Sequence, residues 1–233
     1  MLEAAQQRLS KKIKLNGKMY EDFRSQYEKD HNYSALKKIS RNLSSSIYIY
    51  ISIWYSMGKP MDYNWLLFYK EYIKYYQLSI SKDLINGSYQ HSLMILSLGI
   101  LLGLDKNEFK LISERYVEEG YQDFILDRLI HSQYSSHPVS KDLQFPDEIY
   151  IQKLALILKS SSNQEAEELV KNTLEKYFYT KENLQTTYDS HKTDFYSGYW
   201  AWEIGAIVKI MNLNDSSFKD NPYYPYDMVH WMD

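Results

Sequence analysis

A chain of 233 residues, 44% hydrophobic and 24% charged, has the composition of a folded protein with length for one large domain or two small ones. A formal net charge of −3 excludes a whole-surface electrostatic case for binding nucleic acid. The absence of cysteine removes thiolate catalysis, disulfides and cysteine-based zinc sites together. Tyrosine is the outlier at 24 copies, and its large ring with one hydroxyl suits half-buried grooves and protein interfaces. The first 18 residues lack the apolar core of a signal peptide. The apolar runs 47–54 and 93–104 fall short of the ~20 residues that cross a bilayer. A soluble cytoplasmic protein with no membrane partner is expected.

In chain order, Tyr20, Phe23 and Tyr27 put three aromatics on one face of a first helix over 18–28. Leu36, Ile39, Leu43 and Ile47 carry the period on towards Trp54. The alternation over 47–53 also suits a strand, but the flanking period favours helix. Gly58 and Pro60 stop that helix. Trp65, Tyr69, Tyr72, Ile73, Tyr76 and Ile80 mark the next, which Asn86-Gly87 should end. Residues 88–102, apolar on most sides, read as a central helix, with Gly99 permitting close packing. Asp105 with Glu108 three positions on is a helix start, leading to a helix over 107–119 that Gly120 ends. A short helix over 122–132 turns Phe124, Ile125 and Leu129 inward.

Residues 131–146, with two prolines and no period, mark the expected boundary between an N-terminal helical domain (1–132) and a C-terminal one (133–233). A helical pair follows over 147–160 and 164–178. The stripe Trp200, Ile204, Ile207, Met211 gives the last long helix, ended at 212–214. The expected fold is all-α, a multi-helix bundle.

Chemistry-bearing patterns are sparse. The sequence holds no HExxH, EF-hand or phosphate-loop spacing, so neither metal nor cofactor is expected. His91 in an apolar helix reads as a core residue. The sharpest enzymatic reading is a hydrolase built on His191 with Asp189 or Asp194 and the hydroxyl of Ser190 or Ser197. Neither serine sits in a GxSxG turn, which weighs against it. Glu203, if buried, needs Lys192, Lys209 or a tyrosine hydroxyl as partner. Asp215, Asp220 and Asp227 bring negative charge beside the Tyr/Pro tail, with Asp215 also able to cap the turn after it.

The succession His191-Lys192, Tyr196-Ser197-Gly198-Tyr199-Trp200-Ala201-Trp202-Glu203, Asp215-Ser216-Ser217 and Tyr223-Tyr224-Pro225-Tyr226-Asp227 resembles the C-terminal domain of the PoNi family. Trp54-Tyr55-Ser56-Met57-Gly58, the apolar run 96–103, and Gly120-Tyr121-Gln122-Asp123 with the following 126–130 extend the likeness in family order. Tyr188 stands where many relatives carry tryptophan. The resemblance implies an all-α, non-enzymatic immunity protein that binds a cognate PoNe-type DNase toxin of the PD-(D/E)XK kind and protects producer and sibling cells. The candidate partner-binding residues are Asp189, His191, Trp202, Glu203, Asp215, Asp220, Tyr224 and Asp227. A homodimer is left open, as is a helical scaffold without a toxin. If the shared motif marks fold rather than contact, residues 196–203 are buried scaffold and specificity lies in the tyrosine-rich helices and acidic loops.

Overall fold

The computed structural model describes residues 3, 4, 6, 7, 9–11, 14, 18, 33–76, 85–118, 120, 122–193 and 196–232. Among these every regular element is helical. The chain forms two compact units, one made of Met1–His91 with His191–Gly198, the other of Ser92–Ser190 with Tyr199–Asp233.

In the N-terminal unit, α1 (Tyr33–Ser56) and α2 (Tyr63–Tyr76) pack as a hairpin. Leu43, Ile47 and Ile51 follow the helical spacing of four and are buried, so the 47–53 alternation belongs to a helix. Gly58, at φ +62°, takes the left-handed turn that closes α1, and the Lys59 N–H returns to the Trp54 carbonyl at 3.2 Å. Asp62 starts α2 by accepting from the Asn64 N–H at 2.8 Å. Tyr50, Trp54, Trp65 and Phe68 make one aromatic cluster across the hairpin, with centroids 4.9–5.9 Å apart. The segment His191–Gly198 is tied to α1 by the Ser56 hydroxyl, which donates to the Ser197 carbonyl at 2.9 Å. The helix expected over 18–28, apart from Lys18, lies outside the described residues, as do Ile80 and Asp194.

The division between units falls inside α3 (Ile85–Leu101), which begins at Ile85. Asn86 and Gly87 therefore open a helix rather than end one. The C-terminal unit continues with α4 (Lys106–Glu118), α5 (Phe124–Gln133), α6 (Ile149–Lys159) and α7 (Asn163–Thr173). A π-helical turn, Leu174–Phe178, leads to α8 (Lys181–Leu184). The last helices are α9 (Trp202–Met211) and α10 (Tyr226–His230). Asp105 and Glu108 form the reciprocal cap expected of them: the Glu108 N–H reaches Asp105 Oδ1 at 3.0 Å and the Asp105 N–H reaches Glu108 Oε2 at 3.4 Å. A Cβ on Gly99 would stand 3.1 Å from both Ile112 Cδ1 and Leu104 Cδ1, so α4 packs where that side chain would be.

The irregular stretch after α5 is strapped down by two buried carboxylates one turn apart. Asp123 caps α5 through the N–H groups of Ile125 and Leu126 and also accepts from the Gln144 N–H at 2.9 Å. Asp127 takes the Ser140 N–H at 3.0 Å and faces His137 Nε2 at 2.9 Å. The loop's polar backbone is thereby satisfied against the helix it leaves.

Candidate functional site

Around α9 the sequence places tryptophan, glutamate and small residues together, and the structure buries all of them. Trp202, Ile204 and Ala206 are fully enclosed and Glu203 is 7% exposed. The carboxylate of Glu203 accepts a hydrogen bond from the Tyr150 hydroxyl of α6. Burial lifts the Glu203 carboxyl above its usual range, with the Tyr150 bond pulling partly back. Burial, then the neighbouring Glu203, pushes the Tyr150 phenol well up. Lys209 instead donates to the Val229 carbonyl at 2.7 Å, at the end of α10.

Outward from that pair runs a continuous series of rings. Tyr150 contacts Phe178 at 5.9 Å, and Phe178 contacts Tyr223 at 5.2 Å. Tyr223 stacks on Tyr179 at 5.3 Å with planes 7° apart. Tyr179 also meets Tyr188 at 5.0 Å and Tyr199 edge-on at 4.9 Å. The π-helical turn makes this possible, since its extra residue per turn sends Phe178 inward and leaves Tyr179 half-exposed. The Tyr179 hydroxyl donates to Asp189 Oδ1 at 3.3 Å, and Ser190 Oγ donates to the Tyr199 hydroxyl at 3.2 Å. Burial, then Tyr199 and Asp189, raises the Tyr179 phenol strongly.

A second knot closes the tail. Asp215, 8% exposed, accepts from the Tyr224 hydroxyl at 2.9 Å and from His230 Nε2 at 2.8 Å. Its side chain does not cap the turn after it; Asn214 Oδ1 accepts the Ser216 N–H at 3.1 Å. Gly205 lets α9 and α10 meet, because a Cβ there would stand 2.8 Å from Pro225 Cγ and 3.3 Å from Val229 Cγ2.

Two family models match this chain in order: the N-terminal model of the PoNe immunity proteins (PoNi) over residues 3–114, and the C-terminal model over residues 121–228. The chain belongs to the PoNi family. A solved structure, protein PA2201 from Pseudomonas aeruginosa, has a similar fold at TM-score 0.64 and 16% identity, over 86% of this chain and 76% of that one. No curated protein matches. The all-α architecture and the family agree with what the sequence implies. Among the described residues no helix is long and apolar enough to cross a membrane.

All eight candidate contact residues fall within the PoNi C-terminal match. Trp202, Glu203, Asp215 and Tyr224 are interior; of the stretch 196–203 that the alternative reading takes as buried scaffold, residues 201–203 are buried and 196–200 are half-exposed. Asp220 and Asp227 are exposed and Asp189 is half-exposed, all three in the C-terminal unit. His191 is exposed, its ring edge-on to Tyr196 at 6.5 Å, and belongs to the N-terminal unit. Within the set, Asp215 and Tyr224 are in direct contact. Sequence reasoning missed Tyr150, Phe178, Tyr179 and Tyr223 as members of one assembly. Tyr223 is visible in the sequence as part of the run 223–227, and Phe178 and Tyr179 as part of the run Tyr177-Phe178-Tyr179, which the helical period does not explain.

Proposed function

We propose that this protein is an immunity protein that binds a cognate PoNe-type DNase toxin and neutralises it by protein–protein contact, with no reaction catalysed. The observation that carries this reading is the pair of PoNi matches, over 3–114 and 121–228. The arrangement of polar groups supports it. The buried carboxylates Asp123, Asp127, Glu203 and Asp215 are committed to helix caps, loop amides, tyrosine hydroxyls and histidines of the same unit. The hydroxyl of Ser190 is directed at a tyrosine. Half-exposed tyrosines, enriched at protein interfaces, are left at the surface.

In this reading Asp189, His191, Asp220 and Asp227 reach the toxin directly, while Trp202, Glu203, Asp215 and Tyr224 fix the shape of the surface from within. The protein works in the cytoplasm of the producing cell and its siblings, against a toxin delivered by a bacterial secretion system. The partner is a protein, not nucleic acid. The test is co-expression in a sensitive host with the cognate toxin. Rescue of growth that tracks expression of this chain supports the reading, and killing at full expression overturns it.

A further inference from the structure

The outer end of the aromatic series is built as a recognition surface. Tyr179, at its centre, is flanked by Tyr188, Tyr199 and Tyr223, each with its ring centroid 4.9–5.3 Å away, and all four are half-exposed. The carboxylate of Asp189 joins them, accepting from the Tyr179 hydroxyl at 3.3 Å. The backbone that carries Tyr188 and Asp189 is held in an unusual shape. Gln185 at φ +46° and Asp189 at φ +63° are two of the three non-glycine residues with positive φ among the described residues. Such conformations persist where the surroundings over-determine them. At Asp189 the neighbouring Tyr188 ring and the carboxylate itself both meet Tyr179, which the series links through Tyr223, Phe178 and Tyr150 to buried Glu203. A rigid inner support under a half-buried polar-aromatic cluster is what a preorganised contact surface needs.

The chemistry of the cluster selects its ligand. Phenol faces present negative quadrupoles and Asp189 adds a full negative charge, so the complementary group is a cation with an apolar stem, that is, an arginine or lysine side chain. The same turn already shows this preference, with Lys153 Nζ lying 4.6 Å from the centroid of the Tyr177 ring. We infer that the half-exposed cluster of Tyr179, Tyr188, Tyr199 and Tyr223 with Asp189 is the surface on which the toxin seats a basic side chain. This rests on the immunity reading and names where and by what chemistry the contact is made.

The experiment is titration calorimetry of the full chain against the cognate toxin with its nuclease centre inactivated, at low and high salt. Tyr188→Ala removes a ring, and Asp189→Asn removes the charge while keeping a side chain that tolerates left-handed backbone. Glu168→Gln, an exposed carboxylate on α7, is the control, and circular dichroism establishes that each variant is folded. Each cluster variant is expected to raise Kd at least tenfold. Asp189→Asn should also flatten the salt dependence, and the control should bind as the wild type does. Wild-type binding with both cluster variants within twofold of it overturns this inference and leaves the immunity reading standing. Failure of the wild type to bind overturns both.

Discussion

Replacing Tyr150 by phenylalanine deletes one buried oxygen and leaves the packing volume nearly unchanged, so it isolates the bond to Glu203. A hydrogen bond to an ionised partner contributes roughly 1.5–3 kcal/mol net, and stranding the carboxylate in a 7%-exposed site adds its unmet solvation. The expected loss at pH 8 is about 3 kcal/mol, more than a hundredfold in the folded-to-unfolded ratio. The loss depends on pH with a definite sign. Glu203 already has a raised carboxyl through burial, and the lost bond was the larger of the two influences pulling that value down, the other being its own backbone N–H. At pH 5 the stranded group therefore holds its proton more fully, and the loss falls to about 1 kcal/mol, that of a neutral hydrogen bond. Urea unfolding followed by tryptophan fluorescence at the two pH values measures both numbers. The double variant Tyr150→Phe/Glu203→Leu, with neither polar partner, should recover at least half of the loss at pH 8. A loss below about 0.5 kcal/mol, or one equal at both pH values, would show that the Glu203 carboxylate does not depend on the Tyr150 hydroxyl.

Glu203→Gln addresses the same site from the other side. Because the folded-state value of Glu203 is raised, its favourable contribution is complete below its unfolded value near 4.5 and declines as pH rises through the folded one. The amide variant should therefore show a flatter stability–pH profile than wild type above pH 5, read by thermal melts in a pH series. Gly205→Ala drives a methyl group towards Pro225 Cγ and should cost about 1–3 kcal/mol, seen as a lowered urea midpoint. Asp123→Ala removes acceptors from the N–H groups of Ile125, Leu126 and Gln144 and should cost about 2–3 kcal/mol. The same change should open the 134–148 loop to limited proteolysis while leaving α6 and α7 protected.

Much of the fold is legible because local chemistry and tertiary packing agree. Asp105 and Glu108 are a cap by spacing and a cap by geometry. Gly58 takes the left-handed turn its position implies, and Phe124, Ile125 and Leu129 face inward as their spacing requires. The misleading positions are those where one residue type serves two purposes. Asn86-Gly87 looks like a stop, yet in the structure it lies in the first turn of α3. The aperiodic stretch after α5 looks like a linker, yet Asp123 and Asp127 staple it to α5 through contacts 13 and 21 residues distant. At the site, Glu203 is recognisable as a buried acid needing a tyrosine or lysine. Which tyrosine answers is not, because Tyr150 lies 53 positions away. The outer cluster is hidden for the same reason, and because its geometry depends on a π-helical turn that no hydrophobic period announces.

The proposed function has this chain meet a PoNe-type toxin as a folded protein partner. Its most direct test is co-purification of the tagged full chain with the cognate, catalytically inactivated toxin, followed by light scattering of the eluted species. A stoichiometric complex that survives gel filtration is the expected result. A chain that elutes alone, at its own mass, with excess toxin present would contradict it.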